Sequence, residues 1–156
     1  MRAVVKSMLF WGSAALVLGM SLAFPPAGPA QDSDYYSDYE DGKELFFAHE
    51  YDKAKRKFDD VLRARDNHRG ANQYLGRIYL IEKDYGKAIR HLEDCLKETT
   101  GDYRKIPLNY LAEAYEGAGR RRKALATWEE YLRYVEPGSD WERKAKDRVK
   151  ALGGKP

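Results

Sequence analysis

Tyr85-Gly86-Lys87-Ala88, followed by Leu92 and by Cys95-Leu96, decides the fold because the pattern occurs three times. Tyr51-Asp52-Lys53-Ala54 precedes Phe58 and Val61-Leu62, and Arg121-Arg122-Lys123-Ala124 precedes Trp128 and Tyr131-Leu132. Twelve residues before each alanine stands a small residue, Gly42, Gly76 or Ala112, and three residues further on comes Leu45, Tyr79 or Tyr115. Ala54 and Ala88 are 34 residues apart and Ala88 and Ala124 are 36 apart, which implies a two-residue insertion in the turn at 99–104. A fixed interval of this length marks stacked structural repeats.

Around these anchors the chain is helical in pattern. Leu108, Leu111, Ala112, Tyr115 and Ala118 recur at i, i+3, i+4, i+7 and i+10, the spacing of one helix face. Glycine and proline fall mostly in the breaks, and β-branched residues are scarce. Asn67, Asp84 and Asp102 are good amino-terminal caps, and Pro107 suits a first turn, where its missing N–H does no harm. Ser139-Asp140-Trp141-Glu142 reads as a capping box opening a last helix, with Trp141, Ala145, Val149 and Leu152 on one apolar face and Arg143, Lys144, Lys146, Asp147, Arg148 and Lys150 on the other.

These residues resemble the tetratricopeptide-repeat (TPR) family, whose repeat of about 34 residues carries Leu-Gly, Tyr, Ala, Phe, Ala and Pro at set places. The second repeat matches best, with Leu75-Gly76, Tyr79, Tyr85 and Ala88. The first has Asp38 and Asp41 where the family has its leading Trp and Leu. The third has Ala112 for Gly and Arg121 for Tyr but keeps Pro137. The resemblance implies an all-α fold, a right-handed superhelical array of three helix-turn-helix repeats at 35–68, 69–102 and 105–138. A capping helix at 139–152 would close it, as in exported bacterial TPR proteins. Close approach within each hairpin is expected at Gly42, Gly76 and Ala112 against Ala54, Ala88 and Ala124.

The first thirty residues read as a targeting segment. Arg2 and Lys6 give a positive start, Met8 to Phe24 is apolar and uncharged, and Pro25-Pro26-Ala27-Gly28-Pro29-Ala30 ends in small residues. Cleavage is expected after Ala30, with Ala23 as the alternative site and an uncleaved anchor as the rival. No cysteine flanks the apolar run, which argues against a lipoprotein. Residues 31–36 then form an acidic lead-in. Without Arg2 and Lys6 the net charge falls from +3 to +1, which leaves little pull toward nucleic acid or anionic lipid. The expected product is a periplasmic or secreted protein that does not span a membrane.

The single cysteine, Cys95, is expected as a buried thiol, with an intermolecular disulfide as the alternative. His49, His68 and His91 lack ligand spacing and are expected at the surface. No phosphate loop, zinc-protease helix or nucleophile elbow is present, so neither catalysis nor a cofactor is expected, and no small-molecule substrate. Arg120-Arg121-Arg122-Lys123 reads as a solvated turn or as a patch for an acidic partner.

The TPR resemblance implies that the first helix of each repeat lines a concave groove that holds a protein partner. The matching positions are Tyr36, Tyr39, Lys43, Phe46 and Phe47, then Gly70, Gln73, Arg77, Leu80 and Ile81, then Ile106, Asn109, Glu113, Glu116 and Gly117. Aromatic rings beside a cation are residue types that anchor interfaces, although Phe46 and Phe47 could instead pack against the second repeat. Lys43 and Arg77 would mark a basic end and Glu113 and Glu116 an acidic one. Glu113 stands where a clamp for a peptide's terminal carboxylate would need a donor, so that activity is not expected. A helix or extended segment from an envelope or secreted protein is the expected partner, in cell-envelope assembly. The alternative is a self-associating module that stacks through its terminal helices.

Overall fold

A computed structural model describes residues 29–155. The targeting segment lies outside the described residues apart from Pro29 and Ala30. Seven α-helices follow one another: α1 (Pro29–Phe47), α2 (Tyr51–Ala64), α3 (Arg69–Ile81), α4 (Tyr85–Lys97), α5 (Lys105–Gly117), α6 (Arg121–Tyr131) and α7 (Asp140–Ala151). A short 3-10 turn, Gly101–Arg104, precedes α5. No strand occurs among the described residues, and none of their helices is long and apolar enough to cross a membrane. Helix α1 begins at Pro29, so residues 31–36, the acidic lead-in, are helical and continuous with it. Proline is tolerated in a first turn.

Helices pack in consecutive pairs, α1 on α2, α3 on α4 and α5 on α6, and neighbouring pairs meet through α2 with α3 and α4 with α5. Each hairpin closes in the same way. His49, Lys83 and Gly119 all adopt positive φ, at 60°, 61° and 68°. The next N–H then reaches back to a carbonyl five residues earlier: Glu50 to Leu45, Asp84 to Tyr79 and Arg120 to Tyr115. That left-handed residue satisfies carbonyls the helix end would leave open.

Inside the first two pairs the small residue of the first helix receives the bulky residue of the second, and in the third Ala112 and Trp128 belong to one core cluster. A Cβ on Gly42 would lie 2.7 Å from the Phe58 ring, and one on Gly76 would lie 2.5 Å from Leu92 Cγ. In the first two pairs the nearest approach is therefore to the residue four beyond the alanine, while Ala54, Ala88 and Ala124 are themselves fully buried. Phe58, Leu92 and Trp128 are buried completely, and with Leu75, Ile78 and Leu108 they form the centre of the core.

Capping agrees with expectation at Asp84, whose carboxylate accepts from Lys87 N at 3.2 Å, and at Ser139, whose hydroxyl accepts from Glu142 N at 3.2 Å. Glu142 returns the bond by accepting from Gly138 N at 2.8 Å. Two caps differ. His68, not Asn67, caps α3 by accepting from Ala71 N at 3.1 Å. Asp102 falls inside the 3-10 turn, so Arg104 occupies the cap position of α5 without a side-chain bond.

His91 is a further departure, because it is 8% exposed and not at the surface. Its Nδ1 lies 2.9 Å from Asn72 Oδ1 on α3, and its ring stacks on Tyr79 at 5.5 Å between centroids. Burial, helped by the neighbouring Arg90 charge, pushes its pKa down to about 4. Cys95 is fully buried, and burial raises its thiol pKa.

Candidate partner-binding groove

Stripes on two helices build the groove. On α3, Ala71, Leu75 and Ile78 turn into the core, which leaves Gln73 and Arg77, one helical turn apart, half-exposed on another face. On α5, Leu108, Leu111 and Ala112 are buried, and Lys105, Ile106 and Asn109 are left more open. Together with Tyr74 and Tyr110 these side chains line a cavity of about 620 Å³. Tyr131, Val135 and Glu136 from the end of α6 and the chain beyond it, with Ser139 and Trp141 at the start of α7, complete the wall.

Arg77 is the best-organised charge in the groove. Its guanidinium carbon lies 4.5 Å from the Phe46 ring centre, 5.1 Å from that of Tyr110 and 5.3 Å from that of Tyr74. Cations are attracted to ring faces at such distances. Phe46, 6% exposed, holds its place by edge-on packing against Tyr74 at 5.0 Å. Among the described residues no carboxylate lies within salt-bridge distance of Arg77.

Of the residues expected to line the groove, Gln73, Arg77, Ile106 and Asn109 line this cavity. Phe46 is buried behind it and supports Arg77. Tyr39 is half-buried, packs on Phe58 and Tyr74, and covers Gly70, where a Cβ would lie 2.4 Å from its hydroxyl oxygen. Lys43 is bonded to Glu40 at 2.6 Å, which holds its pKa above the usual lysine value. Leu80 packs against the core between α3–α4 and α5–α6. Tyr36, Phe47 and Ile81 are 61%, 64% and 51% exposed but do not line the cavity. Gly117 is exposed, and a Cβ there would run into the Tyr85 ring.

The expected acidic end is absent, because α7 uses it. Glu113 accepts from Lys144 at 2.7 Å. Glu116 accepts the buried Trp128 indole N–H at 2.6 Å and binds the Arg148 guanidinium. The groove contributors missed from sequence are Tyr74, Tyr110, Lys105, Trp141 and the segment after α6. Trp141, expected on the core face of α7, is 57% exposed and stands in the groove wall, and the buried indole in this region is Trp128. Tyr74 and Tyr110 hold the same place in successive repeats, a signal that could have found them.

Elsewhere, Arg120, Arg121, Arg122 and Lys123 are all exposed, and Arg121 donates to Ala151 O at 3.0 Å, closing the carboxyl end of α7. A more polar cavity of about 560 Å³ sits at the α2–α3 turn among Tyr39, Arg65, His68 and Arg69. Among the described residues no group of His, Cys, Asp and Glu could hold a metal ion.

No family model matches the chain, and no curated protein matches it. A solved structure, the Arabidopsis OM64 TPR domain, superposes with a TM-score of 0.68 over 78% of this chain and 98% of that one, at 13% sequence identity. At that identity the likeness shows the fold, which is that of a tetratricopeptide-repeat domain.

Proposed function

We propose that the chain is an exported adaptor that holds a segment of another protein in the groove between α3, α5 and the start of α7. The observation that carries this reading is the Arg77 guanidinium, fixed by three rings and left without a carboxylate at the lip of a cavity. Aromatic and arginine side chains in a concave site are typical interface anchors, and the fold is an interaction scaffold in other proteins that carry it. Export is supported by the positive start, the apolar run and the small residues up to Ala30. The compartment is the periplasm or the exterior, and the role is recruitment or positioning of an envelope protein.

The test is affinity capture from an envelope fraction. The double variant Ile106→Asp, Trp141→Ala should lose the protein that the parent chain retains, while Lys53→Ala on α2 should keep it. Undiminished capture by the double variant would exclude the groove. Amino-terminal sequencing of the exported product should begin at Gln31. Retention of Met1 on membrane-bound protein would point to an anchor.

One observation favours self-association as a second reading. Phe47 and Ile81, both exposed, hold the same repeat position at the ends of α1 and α3. An oligomer that survives dilution and is broken by Phe47→Asp, Ile81→Asp would support it.

A further inference from the structure

We infer that the groove selects an acidic segment. One carboxylate of that segment sits on the free edge of the Arg77 guanidinium, and a bulky apolar side chain from it packs against Ile106, Val135 and Trp141. This rests on the groove being the binding site and adds the chemistry of what fills it.

The argument starts from charge. Glu113 and Glu116, which would have made the array's concave side mixed in sign, are neutralised by Lys144 and Arg148 of α7. The charged side chains left in the groove lining are Arg77 and Lys105 against Glu136 alone. Neither cation has a carboxylate within salt-bridge distance among the described residues, whereas Lys43, Lys55, Lys57 and Arg104 all do.

Geometry adds to this. The rings of Phe46, Tyr74 and Tyr110 cluster round the Arg77 guanidinium, with Phe46 nearest at 4.5 Å. A guanidinium can rest against aromatic rings and still present N–H donors in its rigid planar fork. Those in-plane donors have no side-chain acceptor among the described residues. A carboxylate offers two oxygens in the matching fork, and such charge-assisted pairs are about twice as strong as neutral hydrogen bonds. A neutral segment laid over Arg77 would strip water from the cation and return only neutral carbonyl acceptors, weaker partners than a carboxylate. The apolar part of the wall, Ile106 and Trp141, gives a bare anion no contact but offers a surface to an apolar side chain of a peptide segment.

The test is selection of random peptides on the purified full chain, with the bound site mapped by backbone amide shifts. Selected peptides should share an Asp or Glu a few residues from an aromatic or large aliphatic residue, and should shift the amides of Arg77 and Asn109. Arg77→Gln should weaken them at least about tenfold, about 1.4 kcal/mol, with an unchanged thermal melt, and Arg77→Lys should recover part of the loss. Arg77→Glu should instead accept the peptide with its acid replaced by Lys. Groove-bound peptides with no acidic preference, or with affinity indifferent to Arg77→Gln, would overturn the inference and leave the groove reading standing. Peptides that shift no groove amide would overturn both. Inorganic phosphate alone, if it matched the peptide's affinity at Arg77, would overturn the claim for a segment.

Discussion

Gly76 and Leu92 are in contact so close that a Cβ on the glycine would lie 2.5 Å from Leu92 Cγ. The leucine is fully buried, and its branch point has nowhere to go. Gly76→Ala should therefore cost about 1–3 kcal/mol by overpacking, outweighing the roughly 1 kcal/mol that alanine gains in a helix. Gly86→Ala is the matched control, since a Cβ there would meet only Asp84 Oδ1 at 3.8 Å. It should stabilise by about 0.5–1 kcal/mol. Urea melts of the two variants should move in opposite directions.

Lys83 is exposed and holds φ 61° in the α3–α4 turn. Left-handed backbone costs a residue with a side chain about 1–2 kcal/mol, and glycine escapes most of that while losing more freedom on folding. Lys83→Gly should raise stability by about 0.5–1 kcal/mol. Gly119→Ala, at the equivalent turn with φ 68°, should lower it. Thermal melts read both.

His91 makes stability depend on acid. The unfolded chain takes up a proton at this site near pH 6.5, while the folded protein resists until about pH 4. Its contribution is complete above pH 6.5 and fades as pH falls toward 4, because the unfolded state binds the proton first. The groups facing the ring are Asn72, Tyr79 and Arg90, with Lys87 and Asp94 near it on α4. The loss between pH 7 and 4 should be about 1–3 kcal/mol. His91→Gln should flatten that segment of the stability–pH curve, and an unaltered curve would refute the assignment.

Glu116 holds the end of the array. Its carboxylate receives the Trp128 indole N–H and the Arg148 guanidinium. Glu116→Ala leaves a buried N–H without an acceptor, at about 1–3 kcal/mol, and frees α7. Glu116→Gln keeps an acceptor for the indole and should cost less. Limited trypsin digestion should cut the alanine variant first within α7, at Lys146 or Arg148.

The repeat architecture was legible because each hairpin needs the same small residue, alanine and bulky partner at fixed intervals, and near-equal spacing survives even where the flanking residues differ. The groove was legible only in part. Gln73, Arg77 and Asn109 follow from the TPR resemblance carried onto α3 and α5. The fate of Glu113 and Glu116 does not, because it is set by Lys144 and Arg148, about thirty residues downstream, and a repeat pattern carries no information on where a terminal helix docks. The burial of His91 is hidden from the sequence for the same reason. Its partner Asn72 sits on the other helix of the pair, and nothing local marks an imidazole as buried. Along α7 alone, one stripe of four apolar residues conceals that its first member, Trp141, overhangs a cavity.

Helix α3 turns one side to the interior through Ala71, Leu75, Gly76 and Ile78, and another to the groove through Gln73 and Arg77. Cohesion and recognition thus occupy separate sectors of a single cylinder. Preference for a new ligand could be written at two solvent-facing letters while the scaffold stays untouched, so the molecule can change allegiance without learning to fold again.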